Sequence, residues 1–179
     1  MGAGRTFGEA MLKSQLGAGS RLPTSGTVCI TVKNGDKARA VVVARDLHLP
    51  GFSILATKGT AAAITEAGLP VTPVHKVKDG RPNIADHIVN KKIDLVINTP
   101  LGRDSFFDDR SVRRAATMAQ VPCVTTPTGA SAAVRAVKAP RSQTPTVRSL
   151  QDCYPGVETG AQPPRTRGQT KRTTRQRNN

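Results

Sequence analysis

Residues 27–37, Thr-Val-Cys-Ile-Thr-Val-Lys-Asn-Gly-Asp-Lys, set the grammar of this chain. Thr27–Val32 is rich in β-branched residues, Asn34-Gly35 is a strong turn signal, and Asp36 stands where a helix N-cap belongs. A strand therefore feeds a helix through a tight turn. The helix that follows offers Ala38, Val41, Val42 and Leu49 as an apolar face, and Pro50-Gly51 ends it.

Downstream the same grammar repeats. Strands are expected at 52–56, 71–74, 93–97 and 121–125, and helices at 60–67, 84–90, 112–119 and 131–138. Five strands alternating with helices imply right-handed crossovers. The expected fold is α/β, a single three-layer domain around a central, mostly parallel five-stranded sheet, with ligands beyond the carboxyl ends of the strands. Thr146–Leu150 reads as a last extended segment. Beyond it the chain is dominated by Pro, Gly, Thr, Arg and Gln, a composition that buries too little to stay folded.

A chain of 179 residues holds one ordinary core. With 37% hydrophobic but only 3% aromatic residues, that core must be built from Val, Ile, Leu and Ala. No apolar run approaches the roughly 20 residues that cross a bilayer, and a signal-peptide core is missing, so a soluble, cytoplasmic protein is expected. Cys29, Cys123 and Cys153 lack the paired spacing of a zinc or redox motif, and the first two fall inside strands, as buried free thiols do.

The net charge of +15 is unevenly spread. Residues 155–179 carry six basic side chains against Glu158, and residues 22–154 retain a net +8. Aromatic residues are not interleaved with these charges as a base-stacking surface needs, which argues against nucleic acid and for a small anion. A basic nucleic-acid-binding module, motivated by the tail, is the interaction-class alternative.

Chemistry gathers at the strand ends. Ala56-Thr57-Lys58-Gly59-Thr60 opens a helix directly after a strand, which presents hydroxyls and free N–H groups to an anion. Lys37 starts the first helix, Lys76 follows the third strand, Asn98 and Thr99 end the fourth, and Thr125-Thr126 end the fifth. Singly these are caps and surface charges; placed together they read as an anion pocket. Lysine supplies a point charge for phosphate, and Thr and Asn supply neutral hydrogen bonds that read a ribose or base. No acid–base pair is evident around His48, His75 or His87, so neither a catalytic nor a metal-binding residue is assigned.

Several stretches resemble the methylglyoxal synthase-like domains, and among them the C-terminal regulatory domain of the carbamoyl phosphate synthase large chain. They are Thr6–Ala10, Lys13–Leu16, Leu22-Pro23, Gly26–Val28, Asn34–Lys37, Gly51-Phe52, Thr57–Thr60, Val77–Pro82, Asn98–Arg103 and Asp109–Arg114. The resemblance implies an allosteric domain that binds a nucleotide monophosphate, UMP or IMP. By matching position the effector site comprises Lys37, Thr57, Thr60, Lys76, Asn98 and Thr99. Pro100 stands where some members carry a second Thr.

The same resemblance implies residues 1–21 as a connector from an upstream domain, 22–154 as the regulatory domain and 155–179 as a basic tail, in a chain that begins inside a longer gene. ATP and a divalent metal then belong to the ATP-grasp catalytic domains of the large chain, and this chain needs no cofactor. The implied partners are those domains and, through them, the glutaminase small chain, in arginine and pyrimidine biosynthesis. The enzyme relative, methylglyoxal synthase, uses an Asp in a Gly-Gly-Asp-Gln-Gln loop as base; here that loop is Asp79-Gly80-Arg81-Pro82-Asn83. Its Asp-Pro-Leu motif is Thr99-Pro100-Leu101 here, so a phosphate-eliminating lyase is the enzyme-class alternative without its carboxylates. The cyclohydrolase relative is excluded by the lack of its Asp-Gly-Arg-Val-Lys-Thr-Leu-His-Pro run.

Overall fold

The computed structural model describes residues 2–100 and 106–142, together with Val147 and Ser149. The elements run α1 (Phe7–Gly17), β1 (Thr27–Thr31), α2 (Lys37–His48), β2 (Ser53–Thr57), α3 (Lys58–Glu66), β3 (Thr72–Val74), α4 (Ile84–Val89), β4 (Leu95–Asn98), α5 (Phe106–Met118), β5 (Cys123–Val124) and α6 (Pro127–Ser142). The five strands form one sheet in the order β3-β2-β1-β4-β5, and every pairing is parallel. This is the three-layer α/β fold that the alternation predicts.

The sheet's two faces fill separate parts of the core. On one, Ile30, Ala56 and Ile97 meet Val43, Ala44 and Leu47 of α2, Ala61 and Ile64 of α3, and Val134 and Val137 of α6. On the other, Cys29, Val74 and Val96 meet Ile84 and Ile88 of α4 and Val112 and Ala116 of α5. Strands covered on both faces are apolar throughout instead of alternating, as Val28-Cys29-Ile30 and Leu95-Val96-Ile97 are. Residues 1–21, expected as a connector, contain α1, which Thr6 caps by accepting the Glu9 N–H at 3.2 Å. This helix packs along α6. The contact is close because Gly8 has no side chain: a Cβ there would lie 2.5 Å from the Arg135 carbonyl oxygen.

One expectation is corrected. The face of α2 turned to the core is Ala40, Val43, Ala44 and Leu47, while Val42 is 55% and Leu49 74% exposed. The run Val41-Val42-Val43 supports either phase, and the sheet selects the one that buries Leu47 at helical spacing. Helices α5 and α6 also begin earlier than expected, at Phe106 and Pro127. Neither opening, Phe106-Phe107-Asp108-Asp109 nor Pro127-Thr128-Gly129-Ala130, shows the apolar spacing that marks a helix in sequence. Cys29 and Cys123 flank Val96 in the ladder, two strand spacings apart, roughly 9.6 Å against the about 7 Å limit for a disulfide. Both are free thiols, and burial pushes the Cys29 thiol up to about 12. Cys153, most of 146–150 and the basic tail fall outside the described residues.

Candidate functional site

Chain order reverses across the sheet between β1 and β4, since β2 and β3 extend one way from β1 and β4 and β5 the other. A crevice opens at such a switch point, beyond the strand ends. Thr31 ends β1 there and pairs with Asn98, the end of β4. On the other side of β1, β2 runs one step further to Thr57, level with Thr31 in register. Paired residues of a parallel sheet share a face, so Thr57, Thr31 and Asn98 form a polar row on the α4–α5 side. All three are buried.

At one end of the row lies the start of α3. Thr57 is its N-cap residue by backbone geometry, φ −65° and ψ 150°, but makes no side-chain cap bond. Its hydroxyl instead donates toward Thr31 Oγ1 and Thr60 Oγ1, each at 3.4 Å, and Thr60 Oγ1 accepts from the Val32 N–H at 3.4 Å. Normal O–H···O bonds span about 2.5–3.0 Å, so these hydroxyls are loosely held and can turn to a better acceptor. The first N–H groups of α3 lack a side-chain cap and carry the positive end of the helix dipole. Lys37, half-buried at the first turn of α2, reaches over from the opposite face. Its Nζ lies 3.4 Å from the position a Cβ on Gly59 would occupy. An ammonium group, a helix N-terminus and two hydroxyls thus converge on one spot.

At the other end, Lys76 joins Thr31 and Asn98 in lining a cleft with Val77, Ile84, Asp108, Asp109 and Val112. Lys76 is half-buried, placed by an extended residue before the 3-10 turn Val77–Asp79. That loop is braced by Asn83, whose side chain caps α4 by accepting the Asp86 N–H at 3.2 Å and donates to the Gly80 carbonyl at 3.1 Å. Arg81 is tied to the Asp86 carboxylate, which holds that carboxyl down at about 2.

Of the expected residues, Lys37, Thr57 and Thr60 share the α3 end, Lys76 and Asn98 share the cleft, and Thr31 links the two groups. Thr99 stands apart. Its hydroxyl accepts from the Lys33 N–H at 3.2 Å, and it faces the other side of the sheet among Val32, Asp36, Arg39 and Pro127. One residue of strand separates it from Asn98, and that reverses its side chain. Thr126, from the fifth strand's end, caps the start of α6 by accepting the Gly129 N–H at 3.0 Å. Sequence reasoning missed Thr31, Asp108 and Asp109. Register with Thr57 would have indicated Thr31, whereas the two acidic residues look in sequence like a helix start. None of the three histidines lines the cleft, and among the described residues no three His, Cys, Asp or Glu side chains converge as metal ligands.

The family model described as the MGS-like domain matches residues 39–125. The chain is 56% identical over 139 residues to the carbamoyl phosphate synthase large chain of Ralstonia nicotianae, covering 77% of this chain and 13% of that one. To the large chain of Gemmatimonas aurantiaca it is 49% identical over 154 residues, 86% and 14% of the two chains. To the large chain, C-terminal section, of Methanopyrus kandleri it is 45% identical over 157 residues, 87% and 29% of the two. The chain therefore spans about a seventh of the full large chains it matches.

Proposed function

We propose, for a chain that belongs to the MGS-like domain family and is homologous to carbamoyl phosphate synthase large chains, that the strand-end site binds a nucleoside monophosphate as a regulatory effector. One observation carries the reading: Lys37 Nζ stands over the uncapped N-terminus of α3, at the end of the strand next to the sheet's switch point. A phosphate seated there receives the first N–H groups of α3, the Thr57 and Thr60 hydroxyls and the Lys37 ammonium. Its ribose then extends along the row toward Thr31, Asn98 and Lys76.

In this reading the domain is part of a large chain whose other domains use ATP and a divalent metal, in contact with a glutaminase small chain. The effector, UMP or IMP, regulates them by binding two orientations of the domain unequally. The domain itself is not a catalyst. Arg81 stands where the lyase relatives carry a base, and its bond to Asp86 raises its pKa further, so it cannot take a proton. Thr99 replaces the second carboxylate and is committed to Lys33.

Calorimetric titration of the chain with UMP, IMP and inorganic phosphate tests the proposal. The expected result is saturable nucleotide binding that Thr60→Ala weakens about tenfold. Titrations flat for all three ligands would overturn it. Incubation with dihydroxyacetone phosphate decides the lyase alternative, because methylglyoxal release abolished by Thr57→Ala would establish catalysis.

A further inference from the structure

Helix α2 is apolar on two sides. Its inner side, Ala40, Val43, Ala44 and Leu47, packs on the sheet. Its outer side presents Ala38, Val42, Arg45 and Leu49, all exposed, with Val42 at 55% and Leu49 at 74%. At about 100° per residue these four positions fall within about 60° of one another around the helix axis. Leu49 keeps the phase because its backbone is still helical, φ −51° and ψ −45°. The alternation of four- and three-residue steps is the seam by which one helix packs along another. The core makes no use of Val42 or Leu49, so their apolar character is not explained by folding.

Charge specifies what fits the seam. Lys37, Arg39, Arg45 and His48 lie on or beside it, and the one acid of the helix, Asp46, is bound to Lys138 of α6 at 2.7 Å. A second copy laid on the seam about a two-fold axis would set Arg39 and Arg45 against the same arginines. A helix with aliphatic residues facing Val42 and Leu49 and carboxylates on its margins pairs with them instead. The seam is also short: one stripe of three helical turns covers far less than the roughly 800 Å² per partner of a stable free-standing complex. Such a contact persists when its partner is tethered, at an effective concentration in the millimolar range. The large chains that this chain matches supply a tether, since it covers only 14% of one of them.

We infer that the outer face of α2 is a docking seam for an acidic amphipathic helix belonging to another part of the large chain. This rests on the homology to large chains and not on the nucleotide site, so a failure to bind UMP leaves it standing.

Two measurements test it. In the first, the ¹⁵N-labelled 179-residue chain is titrated with a three-heptad peptide carrying Leu on its seam and Glu on its flanks, and with the same peptide carrying Lys for Glu. The acidic peptide should shift amides across Ala38–Leu49 and bind about tenfold or more tightly than the basic one, with an affinity that falls as salt is raised. Leu49→Glu should abolish the shifts while leaving Tm within about 2 °C of wild type, as an exposed position allows. Arg45→Glu, which leaves both aliphatic residues in place, should remove the preference for the acidic peptide. In the second, hydroxyl-radical footprinting compares α2 in this chain with the corresponding helix of the intact Gemmatimonas aurantiaca large chain; its outer side chains should be labelled strongly in the former and weakly in the latter. Equal binding of the two peptides, or shifts from neither, overturns the inference, and so does equally strong labelling in the intact large chain. A concentration-dependent dimer in sedimentation equilibrium that Leu49→Glu dissolves would assign the seam to a second copy, and binding to phosphatidylserine vesicles that Leu49→Glu abolishes would assign it to a membrane surface; either result overturns the acidic helix.

Discussion

Gly26→Ala should destabilise the fold through the clamp that sets β1 against β4. Gly26 has φ +115°, a region that L side chains rarely adopt, and a Cβ there would lie 2.1 Å from Asp94 Oδ2 and 2.7 Å from its Cγ. That carboxylate accepts the Thr27 N–H at 2.8 Å, while the Asp94 N–H donates to the Thr27 carbonyl at 2.8 Å. The added methyl must displace the carboxylate. Backbone strain costs roughly 1–2 kcal/mol, and the lost bond at an exposed edge about 1 kcal/mol, for a total of about 2–3 kcal/mol. At about 2–4 °C per kcal/mol for a chain of this size, Tm falls by roughly 4–12 °C in differential scanning calorimetry. Asp94→Ala alone should lose only the bond. The double variant should lose less than the sum, because the methyl then meets no carboxylate. A Gly26→Ala melt within about 2 °C of wild type, or strictly additive losses, would refute this account of the clamp.

Leu47→Ala should cost about 2–5 kcal/mol while Leu49→Ala stays within about 0.5 kcal/mol, since the first is fully buried and the second 74% exposed; urea midpoints of the two variants check the helix phase. Gly8→Val should separate α1 from α6 at the Arg135 carbonyl and raise amide exchange in Phe7–Gly17 before the sheet loosens. The Asp86 carboxyl sits at about 2 against its ordinary 3.8, so its pairing with Arg81 stabilises the fold above about pH 4, and that contribution disappears as pH falls through about 2. Melts of wild type and Asp86→Asn should accordingly differ at pH 6 and converge near pH 2, and a gap of the same size at both would contradict the assignment. Lys37→Ala should weaken UMP by about ten- to a hundredfold and leave uridine nearly unaffected, which parallel titrations measure.

Strand and helix alternation made the sheet legible because each buried strand is a short β-branched run ended by a turn signal, as at Thr27–Asn34. Phase was harder to read. In α2 three consecutive valines fit two faces, and only the sheet's demand for Leu47 chooses between them. The site was legible in its residue types and less so in its parity. Asn98 and Thr99 look equivalent in sequence, yet the pleat sends one to the cleft and the other to the Lys33 N–H. Thr31 looks like any strand threonine until register sets it between Thr57 and Asn98. Asp108 and Asp109 resemble an ordinary helix start, and nothing local signals that one carboxylate oxygen ends up buried without a partner.

Amide chemical-shift mapping of the ¹⁵N-labelled chain during a UMP titration tests the central claim most directly, because it reports where the ligand sits as well as whether it binds. The account predicts saturable shifts concentrated at Thr31, Lys37, Lys58–Thr60, Lys76 and Asn98, with inorganic phosphate reproducing only those at Lys37 and Lys58–Thr60. Shifts absent from the start of α3, or gathered on the outer faces of α1 and α6, would contradict it.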